Sequence, residues 1–368
     1  MSKVFLKDIA DIQSGPFGTQ LHKNEYVQTG IPMLNAKNVG NGTIDISSLD
    51  CVTQAVCDRL PQYVVKKGDI LFGRAGTIER HTYVSEQYDG SFQGTNCIRI
   101  RCHNTELSRY ISYYLWHPAI KKSIENKTGG SIQSYITTDL LNGIVIDLPS
   151  EKTIKRVSDL LDAIDRGIEV NNRINDNLQQ MAYETYMHLF FGKSTNGKLG
   201  DLIVENEKST VQVGTAKDSA DGEYPFFTSG DAILRWNTSM VDGRNCYLNT
   251  GGNADVKFYV GAAAYSTDTW CITATTGFED YLYLLLLSIK SELNQKFFQG
   301  TGLKHLQKPL LKDRPIYIPD KNTIDEFNLS VQPWFDMIAA NINENQRLIS
   351  LRDWLLPMLM NGQATIAD

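Results

Sequence analysis

The chain has 368 residues, 42% of them apolar and 21% charged, with a formal net charge of -6; this length predicts about two or three domains, and this balance excludes wholesale disorder. The longest apolar run, Tyr281 to Ile289, falls far short of the roughly 20 residues a membrane helix needs. The polar, Gly-rich stretch after Met1 to Phe5 leaves no signal-peptide core, so a cytoplasmic protein with no membrane partner is expected.

Residues 1 to 147 alternate short apolar segments with turn signals. Tyr63 to Val65, Asp69 to Phe72 and Cys97 to Arg101 read as strands, Gly40-Asn41-Gly42 and Asp89-Gly90 as turns, and Leu107 to Glu125 as one helix. A long helix is predicted over 148–193. Residues 194 to 317 then repeat the order of parts: strands at Asn245 to Leu248 and Trp270 to Thr273, an apolar helix over Tyr281 to Phe298, a loop at Gly300 to Gly302, and a strand at Pro315 to Ile318. A second long helix covers 318–363 and leaves a tail at 364–368.

The two long segments are copies. Leu148 to Lys193 recurs without a gap as Ile318 to Gln363, at an offset of 170 residues. Pro149 matches Pro319, Thr153-Ile154 match Thr323-Ile324, Leu178 matches Leu348 and Gly192 matches Gly362. Tyr113 and Leu115 match Tyr283 and Leu285 at the same offset, and Thr95-Asn96-Cys97-Ile98 resembles Thr269-Trp270-Cys271-Ile272 at a slightly longer one. The chain is therefore one module-plus-helix unit written twice.

Each long helix carries a heptad seam. The first reads Ile154, Val157, Leu161, Ile164, Ile168, Asn171, Asn175, Leu178, Ala182 and Leu189; the second reads Ile324, Phe327, Val331, Trp334, Ile338, Asn341, Asn345, Leu348, Leu355 and Leu359. Asn171, Asn175, Asn341 and Asn345 form matched polar layers at mid-helix, where antiparallel copies would meet, and seam asparagines fix register at a cost in stability. The expected fold is α+β: two β-rich modules separated by two long helices that form an antiparallel coiled coil, with a pseudo-two-fold axis.

Charge and chemistry narrow the function. Residues 1 to 150 carry 15 Lys/Arg against 14 Asp/Glu and residues 194 to 317 carry 12 against 14, so most of the excess negative charge lies on the helical segments. An anionic ligand would be met by the modules. Six scattered cysteines without a CxxC pair and six histidines without ligand spacing point to no metal site. No phosphate loop, dinucleotide fingerprint, HExxH or GxSxG is present, nor the Gly-rich loop and aromatic tetrapeptide of a base-modifying methyltransferase. The chain reads as a binder or scaffold.

Gly15-Pro16-Phe17-Gly18, Gly30-Ile31-Pro32-Met33-Leu34 with Asn38-Val39, Lys67-Gly68-Asp69-Ile70-Leu71 and the two helices opening at Pro149 and Pro319 resemble, in order and duplication, the specificity (S) subunit family of type I restriction-modification systems. The resemblance covers essentially the whole chain. It implies target-recognition domains at 1–147 and 194–317, each reading one half of a bipartite double-stranded DNA sequence through the major groove, and conserved helical spacers at 148–193 and 318–363. It further implies no catalytic activity and no cofactor of its own. Two modification subunits would hold S-adenosylmethionine and methylate adenine, docked on the helices, and two restriction subunits would join them to form a nuclease.

Base readout needs Arg or Lys for guanine and Asn or Gln for adenine, on loops that can enter a groove. In the first module the candidates are Arg74, Gly76, Thr77 and Arg80; Gln93, Thr95 and Asn96; and Gly130, Ser131, Gln133 and Ser134. In the second they are Ser229, Arg235, Asn249, Thr250, Thr267, Thr269, Thr301, Lys304 and His305. A reading of another class is a non-catalytic coiled-coil adaptor whose modules bind proteins through aromatic anchors such as Trp236 and Tyr247.

Overall fold

The structure is a computed structural model and describes residues 2–74, 80–128, 135–217, 222–230, 232–300 and 302–366. It divides into two compact units, one built from Met1–Arg166 with Leu348–Asp368, the other from Gly167–Arg347. Each unit holds one module and part of each long helix.

In the first module, strands β1 (Ala10–Ser14), β2 (Ile70–Gly73), β3 (His81–Tyr83) and β4 (Cys97–Cys102) form a sheet in the order β1-β4-β2-β3. Side chains alternate across a strand. Ile70, Phe72, Ile98 and Ile100 therefore face a core that also takes in the helices, while Leu71 and Cys97 face a second core with Leu34, Val65 and Val84. Burial on both faces explains the unbroken apolar run of β2. A smaller sheet contains a parallel pair, Ile31–Leu34 beside Phe92–Gln93, and Ser2–Phe5 pairs with Val145–Leu148.

The helix expected over Leu107 to Glu125 is two helices, α1 (Thr105–Leu115) and α2 (Pro118–Thr128). Pro118 lacks the amide an interior position needs and suits a first turn; the His117 Nδ1 accepts the Ala119 amide at 3.1 Å and caps α2. Tyr63 to Val65 is not a strand. Pro61 starts a 3₁₀ turn that ends at Tyr63, and Val64 makes a single bridge to Phe92.

The first long helix, α3, runs Glu151–Phe190. In the second module, β5 (Ile203–Glu205), β6 (Arg244–Asn249), β7 (Val256–Val260) and β8 (Thr269–Ala274) pair in the order β5-β8-β6-β7. This is the first module's sheet again, and here too a parallel pair accompanies it, Tyr224–Phe227 beside Ala264–Tyr265. The apolar helix expected over Tyr281 to Phe298 is shorter: α4 spans Glu279–Ser288, and after Lys290–Glu292 a π turn over Leu293–Phe297 delivers Phe298 to a strand. The expected strand at Pro315 to Ile318 pairs only over Pro315–Ile316.

The second long helix, α5, runs Lys321–Met360. Both long helices start and stop by the same devices. Ser150 Oγ accepts the Thr153 amide at 3.3 Å, and Asp320 Oδ1 accepts the Thr323 amide at 3.0 Å, each an N-cap. Gly192 and Gly362 lie at φ +77° and +69°, the left-handed conformation that closes a helix and suits glycine. Within each unit the two helices run antiparallel. In the first, Arg352 Nη1 donates to Asp165 at 3.0 Å and Leu161 shares a core with Leu356 and Leu359. In the second, Phe190 meets Phe327 edge-on at 5.1 Å.

The buried stripe is wider than the heptad seam. Phe335, Ala339, Leu356 and Met360 are buried beside the seam positions, because each helix packs on a module as well as on its partner helix. Leu189, a seam position in sequence, is exposed at 37%, and Phe190 is buried in its place with Tyr186 and Ala182. The spacing there changes to steps of four where α3 turns its face toward the second module's core.

Candidate nucleic-acid interface

Antiparallel pairing brings particular loops to one end of each main sheet. In the first module, Ser14 pairs with Ile98, Gly73 with Cys97 and Phe72 with His81. The loops following β1 and β2 and the loop preceding β4 therefore leave the same edge. Three bonds bind them: the Arg74 amide to the Asn96 carbonyl at 2.8 Å, the Ile136 amide to the Arg74 carbonyl at 3.1 Å, and the Gly15 amide to the Cys97 carbonyl at 2.8 Å.

The second module repeats the first two of these bonds with other side chains. The Thr250 amide donates to the Asp268 carbonyl at 3.0 Å and the Leu306 amide to the Thr250 carbonyl at 3.0 Å. Arg74, Asn96 and Ile136 thus correspond to Thr250, Asp268 and Leu306. The ladder sets Phe72 against Ile98 and Leu248 against Trp270, with all four side chains facing the helix-side core. Ile98 therefore answers to Trp270, not to Ile272 as the tetrapeptide match suggests.

The candidates divide by burial. Arg80 and Asn96 are exposed, Thr95 is half-buried, and Arg74 is half-buried with an Nε that has no hydrogen-bond partner among the described residues. In the second module Lys304 and His305 are exposed, and Ser229, Thr250 and Thr267 are half-buried. These lie on the gathered loops: the Gly252 amide donates to the Lys304 carbonyl at 3.0 Å, and Thr250 Oγ1 to the Asp268 carbonyl at 3.1 Å. Lys257 Nζ, bonded to the Thr228 carbonyl at 3.0 Å, holds the turn that carries Ser229.

Four candidates are occupied by the protein itself. Gln93 Nε2 donates to the carbonyls of Gln13 and Cys97 at 2.9 and 3.2 Å, and the side chain is fully buried. Asn249, also buried, donates to the Gly251 and Asn253 carbonyls and accepts the Asp255 amide at 2.7 Å. Buried Thr269 bonds Ser266 and the Phe227 carbonyl. These three shape loops instead of presenting groups to a groove. Arg235 lies on a separate small sheet and donates to the carbonyls of Gly222 and Glu223. Gly76, Thr77, Gly130, Ser131, Gln133, Ser134 and Thr301 lie outside the described residues.

Sequence reading passed over the loop at residues 15–20 as a binding element, because only the ladder shows that β1 ends where β4 begins. Tyr247 is no interface anchor: it is buried and stacked on Phe227 at 4.1 Å. Trp236 is half-buried and packs on Phe226 at 5.9 Å.

The mid-helix asparagines meet within the second unit. Asn171 Nδ2 donates to Asn345 Oδ1 at 3.0 Å and Asn341 Nδ2 to Asn175 Oδ1 at 2.8 Å, while Asn345 Nδ2 reaches Asn172 Oδ1 at 2.8 Å. Among the described residues no helix is long and apolar enough to cross a membrane.

Residues 1–180 and 193–349 match the family model described as the type I restriction modification DNA specificity domain. Over 196 residues, 52% of this chain and 45% of the relative, the sequence is 25% identical to the type I restriction enzyme MjaVIII specificity subunit of Methanocaldococcus jannaschii. The chain thus spans under half of that relative's length. It is 20% identical to the MjaIX specificity subunit of the same organism, with 99% of this chain and 93% of the relative covered. The crystal structure of the type I restriction-modification S subunit from M. genitalium shares the fold, with a TM-score of 0.61 at 12% identity over 97% of this chain and 95% of that one.

Proposed function

The chain belongs to the type I restriction modification DNA specificity family, and from that premise we propose that each module reads one half of a bipartite DNA sequence with the loops gathered at its sheet end. The observation that carries the reading is the repeated loop bonding. Both modules keep the same sheet order and the same two backbone bonds at Arg74 and Thr250, while the exposed side chains on these loops differ. A constant frame with variable groups is what reading two unlike half-sites requires.

In this reading Arg74, Arg80, Asn96, Thr250, Lys304 and His305 face the groove, where their donors would meet acceptors on bases or phosphates. The two helices, each of 40 residues and so about 60 Å long, fix the unread spacer. Their asparagine pairs set the register. The chain has no chemistry of its own. Two modification subunits dock on the helices, hold S-adenosylmethionine and methylate adenine, and restriction subunits complete the nuclease in the cytoplasm. Because the chain is acidic, these partners supply much of the phosphate contact.

The test is methylome sequencing of cells that express the chain with its modification subunit. A split adenine-methylated consensus is expected. Absence of both methylation and DNA binding would sink this reading and favour a protein adaptor.

A further inference from the structure

Gly15-Pro16-Phe17-Gly18 follows β1 at the sheet end where the loops gather. Gly15 and Pro16 are buried, yet Phe17 is 60% exposed. The loop is not free to fold the ring away. The Phe17 amide donates to Gln20 Oε1 at 3.1 Å, and the Phe17 carbonyl accepts the Gln20 and Leu21 amides at 2.8 and 3.2 Å. Gln20 is itself held by the Tyr63 hydroxyl at 2.9 Å and by Arg59 Nη1 on its carbonyl at 2.9 Å. Leu21 is buried in a core with Met33, Val52 and Tyr63. The ring therefore projects from a five-residue arch whose two feet are both fixed.

The arch is also locked to the candidate readout loop. A Cβ on Gly15 would collide with the carbonyl of Gly94, and one on Gly94 would collide with Asn35. Gly15 and Gly94 are thus packed backbone to backbone, with Thr95 beside the foot of the arch. The Phe17 carbonyl and the Gln20 and Leu21 amides are bonded within the arch, and the largest apolar group it offers outward is the Phe17 ring. In the second module the segment after β5, Asn206 to Val211, carries no ring.

Resting on the reading above, we propose that Phe17 is a specificity-determining residue that contacts a base pair of the half-site read by the first module, against a thymine methyl or wedged at a base step. A rigid apolar probe beside polar readers adds discrimination that hydrogen bonds cannot. The effect is one-sided, because the segment after β5 in the second module, Asn206 to Val211, has no such ring.

The experiment selects duplexes from a random pool with the full chain bound to its modification subunits. Wild type is expected to yield a split consensus, and Lys304→Ala identifies the half read by the second module. Phe17→Ala should lose preference at one or two adjacent positions of the other half only, and bind the wild-type consensus about tenfold more weakly, with Phe17→Trp restoring part of the loss. An unchanged consensus and affinity for Phe17→Ala would overturn the inference while leaving the reading of DNA intact. Failure of Phe17→Ala to co-purify with the modification subunits would overturn it too, by making the ring a protein contact. If wild type selects no sequence, the proposed function itself falls.

Discussion

The Asn171–Asn345 pair offers the sharpest quantitative test of what the repeated helices do. Asn345 is 7% exposed and uses both ends of its amide, accepting from Asn171 at 3.0 Å and donating to Asn172 at 2.8 Å. Truncation to alanine removes two hydrogen bonds worth about 0.5–1.5 kcal/mol each. It does not strand its partners: Asn172 is exposed, and Asn171 keeps a bond to Glu344 at 3.2 Å. The expected cost is therefore about 1–2 kcal/mol, without the larger penalty of a buried orphan. For a unit of about 180 residues this lowers the melting temperature by about 2–8 °C. A double-mutant cycle of Asn171→Ala and Asn345→Ala, read by circular dichroism melting, should give a coupling of about 0.5–1 kcal/mol. Asn345→Leu should be near neutral or stabilising, since an apolar seam residue packs better than an amide, and should relax the register. Zero coupling, or a leucine variant less stable than the alanine variant, would refute the reasoning.

Other outcomes follow from the same geometry. Arg74→Ala and Lys304→Ala should each weaken binding of the selected duplex by about 1–3 kcal/mol at fixed salt if they read bases; unchanged affinity removes that residue from the interface. Gly15→Ala places a methyl against the Gly94 carbonyl, a backbone atom that cannot swing aside, so we expect a loss of about 1–3 kcal/mol in stability, measured by urea unfolding. Arg314, donating to Glu292 at 2.8 and 3.2 Å, holds that carboxyl below its usual value. A depressed carboxylate stabilises above its unfolded pKa of about 4.3 and loses that contribution as pH falls through the lower folded value. Partly exposed, the pair should contribute under about 1 kcal/mol, and Glu292→Gln should flatten that part of the acid-unfolding curve.

Much of the fold was legible because the helices announce themselves twice. The ungapped copy at an offset of 170 residues established the order of parts, and the seam spacing put the asparagines in matched layers at mid-helix. Where a helix must serve two partners, the pattern misleads: Leu189 fits the heptad, but the second module's core draws Phe190 inward. Short breaks such as Trp116-His117-Pro118 were overrun because the apolar pattern continues across them. The loop candidates were legible as polar stretches but not as surfaces. Gln93 and Asn249 have the side chains of readers, and only the fold reveals that backbone carbonyls already take their amides. Phe17 looked like part of a motif until strand pairing placed it at a sheet end.

The division of both long helices between the units sets an order for synthesis. The first unit needs Leu348–Asp368, whose Leu356, Leu359 and Met360 sit in the core with Ile154 and Leu161, whereas the second is encoded without interruption from Gly167 to Arg347. Chains fold as they emerge. The unit translated first must wait for Leu348–Asp368 to emerge, and the unit from Gly167 to Arg347 is complete before it.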